Sequence, residues 1–202
     1  VLSNKYMTYG DILKLKLVEE ILEMYGNSHI FDYTIDFLIQ NKYSNPFSFF
    51  EHFSKYWQDE NLFRKSHSQK NLYKIFKDYL SLNHSGDMDI LFELLKLDYL
   101  VSHKGPLPEF LKNNNFHKNN KAKIFQFLKQ ANNIEKYFPE FTGKAPKEIY
   151  KHVYFEEFNG EIGKVIGIDE KNNALESLIL TFYFPKQRIN IKGKAVFKRV
   201  IL

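Results

Sequence analysis

Apolar residues in this chain keep one spacing for most of its length and a different spacing afterwards, and that switch sets the fold class. From Tyr9 to about residue 138 they recur three and four positions apart, which lines them along one face of a helix. After Pro146 they gather in short runs rich in β-branched and aromatic residues: HVYFEEF, EIGKVIGID, LESLILTFYF and KAVFKRVIL. Turn signals separate these runs at Asn159-Gly160, Lys171-Asn172-Asn173 and Lys192-Gly193. The order of periods predicts a mainly helical α+β protein. About six helices form a domain over residues 1–145. A small antiparallel meander of three or four strands, packed on it, occupies residues 146–202. No internal repeat of solenoid length is present.

The helices carry readable ends. Residues 8–28 form an amphipathic helix that Asp11 can cap and that Gly26-Asn27 can stop. A second helix runs over about 30–42. Ser44-Asn45-Pro46 then supplies a cap with proline at the first helical position, opening FSFFEHFSKYWQDE. The fourth helix, SQKNLYKIFKDYLSL, is entered through Ser66 or Ser68, and the fifth, DMDILFELLKLDYLVS, through Ser85 or Asp87. KGPLPEFL breaks the pattern with two prolines and adds one short turn. KNNNFHKNN reads as a loop, and KAKIFQFLKQAN as the sixth helix.

Composition narrows the function. With 202 residues, 44% hydrophobic and 26% charged, the chain has globular composition and enough length to bury a core. It holds no apolar run of about 18 residues and opens on no signal-like segment, so a cytoplasmic protein is expected. The net charge of +5 invites a nucleic-acid reading. Its lysines are interleaved with acids, however, as in LKLKLVEEILE, which describes a solvated surface better than a binding stripe. Cysteine is absent, which excludes a disulfide framework, a thiol nucleophile, a cysteine zinc site and an iron–sulfur cluster held by this chain.

Motifs for chemistry are sparse. The seven histidines, His29, His52, His67, His84, His103, His117 and His152, include no pair at helical i, i+3 or i, i+4 spacing, so they read as surface and capping residues. The carboxylates of GDMD, residues 86–89, suit a helix start. NGEIGKVIG lacks G-K-[ST] and leads to an expected strand, so its glycines are assigned to turns or a bulge. No serine sits in G-x-S-x-G. The aromatic content stands out, with 20 Phe, 13 Tyr and one Trp. Helix three alone holds Phe47, Phe49, Phe50, Phe53, Tyr56 and Trp57, too many for one narrow face. Those rings are expected in a core, with part of the face free to line a pocket or dock on another domain. His52, Trp57 and Tyr99 are the candidates for a pocket, as polar-aromatic residues on helices.

Several stretches in order, YGDILKLKLVEEILEMYGNS, NPFSFFEHFSKYW, LFELLKLDYL and LPEFL, with HVYFEEF and GKAVFKRV more loosely, resemble one uncharacterised domain. It is the C-terminal domain of cobalamin (B12)-binding radical SAM proteins, often labelled as magnesium-protoporphyrin IX monomethyl ester anaerobic oxidative cyclase-like. The resemblance spans about residues 9–141. It implies an upstream cobalamin-binding domain and a radical SAM barrel in the same polypeptide as partners. In such proteins a three-cysteine motif of the barrel holds a [4Fe-4S] cluster that cleaves S-adenosylmethionine. It also implies that residues 8–28 are the junction helix leaving the barrel and that Val1 is a cut within a longer polypeptide. No catalytic, cofactor-binding or metal residue of that family has a matching position here, so this chain alone is expected to be no enzyme and to hold no cofactor. The resulting expectation is an accessory domain that packs on the barrel and helps enclose or recognise substrate. The alternative is a helical nucleic-acid- or protein-interaction module. A recognition helix should present Arg, Asn, Gln and Lys to bases, whereas helix three presents Phe and Tyr. Nucleic acid and membrane are therefore not expected partners.

Overall fold

A computed structural model describes residues 7–112, 116–168, 177–185 and 193–202. The chain divides into two compact units, Val1–Leu91 and Phe92–Leu202. The boundary expected near residue 145 thus falls inside the second unit, because the helices before it share a core with the strands after it.

The first unit is built from α1 (Tyr9–Ile21), α2 (Asp32–Asn41), α3 (Pro46–Asp59) and α4 (Gln69–Asn83). Thr8, not Asp11, is the N-cap of α1. Its hydroxyl accepts from Asp11 N–H at 3.2 Å while the Asp11 carboxylate accepts from Thr8 N–H at 2.9 Å, a reciprocal capping box. The hydrogen bonds from Thr8 hold the Asp11 carboxyl below its ordinary value. The helix then widens into a π turn, Leu22–Gly26, in which Asn27 N–H reaches Leu22 C=O. Gly26 is there for a close approach. A Cβ on it would stand 2.7 Å from Leu22 Cδ1 and 3.0 Å from Phe50 Cζ. The helical segment ends at Gly26 with Asn27 as its C-cap, as expected, and the left-handed residue that follows is His29, with φ of 57°. Helix α3 opens as expected: Asn45 Oδ1 accepts from Ser48 N–H at 2.9 Å, and Pro46 takes the first position, where its missing N–H costs nothing. Ser68 caps α4.

Rings fill the core of this unit. Phe53 meets Tyr25 at 4.8 Å and 70°, Phe76 at 5.2 Å and Tyr79 at 4.4 Å. Tyr25 also packs on Phe31 and Trp57. The buried phenols reach backbone acceptors, Tyr25 Oη donating to Leu72 C=O and Tyr73 Oη to Ile30 C=O.

The second unit holds most of α5 (Met88–Ser102), then α6 (Phe116–Lys129), α7 (Ala131–Tyr137), α8 (Pro146–Ile149), β1 (Val153–Asn159), α9 (Glu161–Val165), β2 (Ser177–Tyr183) and β3 (Val196–Val200). KGPLPEFL contributes a single 3₁₀ turn, Glu109–Leu111. KNNNFHKNN differs from the expected loop, since α6 already begins at Phe116, whose buried ring joins the core with Ile124 and Phe127. EIGKVIGID differs from the expected strand. Asn159 Oδ1 accepts from Glu161 N–H at 3.1 Å and starts a helical turn, Gly163 is buried within it, and Gly167, with φ of 70°, closes it. Local capping therefore overrides the β propensity of Val165 and its isoleucine neighbours. Gly163 belongs to this short helix, while Gly160 and Gly167 lie in the turns that flank it, as expected. The Lys171-Asn172-Asn173 signal and Lys192 lie outside the described residues.

The three strands form the expected antiparallel meander, ordered β1-β2-β3, with Val153 opposite Tyr183 and Tyr183 opposite Val196. Val153, Phe155, Tyr183 and Val200 face a core shared with α6, α7 and α8. On the other face, where Glu156, Phe158 and Phe182 point, lies α5. Being covered on both sides explains why β2 is buried nearly without alternation.

That second face encloses charge. Lys96 is fully buried, with Nζ 2.7 Å from Glu157 C=O, 3.1 Å from Glu93 Oε1, 4.0 Å from Glu156 Oε1 and 4.3 Å above the Phe158 ring. Glu93 also accepts from Asn159 N–H at 3.1 Å, and Glu156 from Tyr154 Oη at 3.2 Å. Burial pushes the Glu156 carboxyl up to about 7, against the pull of Lys96.

Two outcomes test this packing. Phe53→Ala should lower unfolding stability by about 3–5 kcal/mol in urea titrations, while Phe47→Ala, at a residue 50% exposed, should stay within about 0.5 kcal/mol. Folded Glu156 keeps its proton to about pH 7 and the unfolded carboxyl to about 4.5. Its contribution to stability is therefore greatest below pH 4.5, falls as pH rises to 7, and is flat above. Subtracting the stability profile of Glu156→Gln from that of the parent chain should reveal this slope.

Candidate functional site

Helix α3 has two faces with different work. Phe49, Phe50, Phe53 and Trp57 turn into the aromatic core. Ser48, Glu51, Lys55 and Asp59 follow one another at three- and four-residue steps along the other face, with His52 next to Glu51. That second row is one wall of a groove of about 720 Å³. Lys14, Leu17 and Val18 of α1 form the opposite wall, and Lys42, Tyr43 and Ser44 close one end. Helix α3 is thus amphipathic and not apolar around most of its circumference. Phe47, which would extend the apolar arc, is exposed.

The end of the groove is set by where two helices stop. Lys42 and Tyr43 follow the last turn of α2, both donating backbone N–H to Leu38 C=O. His84 ends α4, its N–H on Leu80 C=O. Lys42 Nζ reaches Asp87 Oδ2 at 2.7 Å, tying the end of α2 to the 3₁₀ turn Ser85–Asp87. This pairing brings four polar rings together. Tyr43 Oη lies 2.6 Å from Tyr79 Oη, 3.1 Å from His84 Nε2 and 3.3 Å from His52 Nδ1, and Tyr79 Oη lies 2.8 Å from His52 Nδ1.

Burial raises the Tyr43 and Tyr79 phenols above their ordinary value, so both remain protonated in neutral solution. His84 is held below the usual imidazole value, first by burial and next by His52, with Asp87 opposing. The groove offers ammonium groups at Lys14 and Lys55, carboxylates at Glu51 and Asp59, hydroxyls at Ser44 and Ser48, and an imidazole at His52. Such a mixed polar lining suits a polar ligand carrying charges of both signs. Among the described residues, no group of three His, Cys, Asp or Glu side chains could hold a metal ion.

Of the three residues singled out from the sequence, His52 lines this groove. Trp57 is 1% exposed and belongs to the core, its ring 5.1 Å from His67 and 5.4 Å from Phe63. Tyr99 lies in the second unit, stacked on His103 at 4.5 Å and 8°. His103 lines a separate cavity of about 300 Å³ with Lys104, His152, Tyr154 and Phe182. Within the first unit, then, His52 faces the groove while Trp57 faces the core, and the two share no site. Tyr43, Tyr79 and His84 were not legible as partners of His52. Their separations of 9 to 41 residues match no local spacing, and only the helix ends place them.

The fold is thus an α+β domain, mainly helical, with a polar groove in its helical first unit. Over residues 1–181 the chain matches the family described as "Protein of unknown function (DUF4080)", and it belongs to that family. No curated protein and no solved structure matches it. Among the described residues, no helix is long and apolar enough to cross a membrane.

Tyr43→Phe removes the one hydroxyl that meets both imidazoles and Tyr79. It should cost about 1–3 kcal/mol in urea unfolding, since it leaves polar groups partly unsatisfied in a half-buried site.

Proposed function

We propose that this chain is a non-catalytic C-terminal accessory domain of a cobalamin-dependent radical SAM enzyme of the cytoplasm, packing on the barrel and helping to enclose or recognise substrate. The observation that carries the packing is on α1. Tyr9, Leu13 and Leu15 are 53%, 44% and 42% exposed, while Val18 and Ile21 of the same helix are buried. A helix that spends apolar side chains on both sides is suited to sit between its own unit and another body. The ordered resemblance of YGDILKLKLVEEILEMYGNS, NPFSFFEHFSKYW and LFELLKLDYL to such domains supplies the identity of that body, and all three lie within the matched family region.

The parent's cofactors do not fit this chain. A [4Fe-4S] cluster needs thiolates and the sequence contains no cysteine, so the cluster belongs to the upstream domains, where the resemblance also puts S-adenosylmethionine and cobalamin. What this chain supplies is surface: α1 toward the barrel, and the groove beside His52 for a polar part of the substrate.

The coding sequence upstream of Val1 is expected to encode a C-x-x-x-C-x-x-C motif preceded by a cobalamin-type domain, and its absence would overturn the proposal. In the full-length protein, Leu13→Asp with Leu15→Asp should expose the junction to limited proteolysis. The same pair should lower substrate turnover at least about tenfold while S-adenosylmethionine cleavage without substrate continues.

A further inference from the structure

We infer that His84, Tyr43, Tyr79 and His52 form a proton relay holding a single inward-facing imidazole proton, which makes the groove an acid–base site for a ligand with an exchangeable proton. The inference follows from counting hydrogens. The contacts His84 Nε2–Tyr43 Oη, Tyr43 Oη–Tyr79 Oη and Tyr79 Oη–His52 Nδ1, at 3.1, 2.6 and 2.8 Å, each need one hydrogen. Two hydroxyls supply two. The third must come from one imidazole.

If His84 Nε2 carries it, His84 donates to Tyr43, Tyr43 to Tyr79, and Tyr79 to His52 Nδ1. If His52 Nδ1 carries it, every bond reverses. With a hydrogen on neither nitrogen, one short contact sets lone pair against lone pair. With a hydrogen on both, fully buried Tyr79 donates to Tyr43, and the hydroxyl hydrogen of half-buried Tyr43 must leave the cluster for the groove. The 3.3 Å contact between Tyr43 and His52 joins the same atoms and adds no acceptor.

An imidazolium carries hydrogen on both nitrogens. A second positive charge would break the chain of donors and face the first across the two phenols, so the relay favours a charge on His52 or on His84 over a charge on both. Transfer is balanced. The N–H bond of His84 breaks as an O–H forms on Tyr43, the original hydroxyl hydrogen of Tyr43 passes to Tyr79, and that of Tyr79 passes to His52 Nδ1. Each tyrosine ends neutral. A charge that began on His84 now stands on His52, whose Nε2–H can be given to a ligand in the groove.

Around the relay, Lys42 and Asp87 pair beside His84, while Glu51 and Lys55 of α3 and Lys14 of α1 line the groove with His52. The half-buried Tyr56 ring packs on Tyr79 at 5.2 Å.

The test is a pH titration of the 202-residue chain labelled with ¹⁵N-histidine, followed by long-range ¹H–¹⁵N correlation. His52→Gln and His84→Gln assign the signals. The two imidazoles should protonate in two separate steps rather than together. Glutamine at position 52 still accepts from Tyr79 but takes up no proton, so His84, where it is the second imidazole to protonate in the parent chain, should then protonate at higher pH. Tyr79→Phe should bring the two curves together, and Tyr43→Phe should do the same if the first variant does not fold. Coincident titrations in the parent chain, or curves unmoved by His52→Gln and by the tyrosine variants, would overturn the relay. The readout needs this chain alone, so it is independent of whether the parent enzyme is a radical SAM protein.

Discussion

The roll of α3 about its own axis is the constraint on which the first unit depends. Edge-to-face packing of Phe53 on Tyr25, stacking on Phe76 and tilted packing on Tyr79 leave that helix one orientation. Each such ring pair contributes about 0.5–1.5 kcal/mol beyond its buried area. Once the aromatic stripe is seated, the residues one step round the helix, Ser48, Glu51, His52, Lys55 and Asp59, can only face α1 and the end of α2. The groove is the polar consequence of an apolar decision. Tyr79 serves both sides, its ring in the core and its hydroxyl in the relay.

In the second unit the corresponding constraint is a sheet covered on both faces. A three-stranded meander with one solvated face could leave Glu156 in water. Placing α5 over that face buries Glu156, Glu93 and Lys96 together, so each must find partners among the others, a tyrosine and the backbone. With one ammonium among these glutamates, the proton retained by Glu156 to near neutral pH offsets the excess negative charge. Buried charge of this kind is weak evidence for stability. It fixes which face of α5 meets the sheet, because a rotated helix would strand an ammonium among phenylalanines.

Much of the fold was legible in the sequence because its signals are local. The Asn45-Pro46 start of α3, the Ser68 cap of α4 and the strand runs at Val153, Ser177 and Val196 are each written within a few residues. The misread segments are those where a local rule had a local competitor. Val165 and its isoleucine neighbours favour a strand, but the Asn159 side chain starts a helical turn first. Phe116, expected in a loop, instead begins α6, because its ring had a core to enter.

The sequence by itself determined the order of helices and strands, the placement of the aromatic stripe on α3 and the absence of any thiolate chemistry, because periodicity and composition act at short range. Only the tertiary structure decided that Tyr43, Tyr79 and His84 meet His52, and that Trp57 is core while Tyr99 stands in a different unit. Hydrogen bonds among four side chains carried by α3, by α4 and by the residues just after α2 depend on angles between helices. Those angles come from the sum of many ring contacts, and no spacing along the chain encodes them.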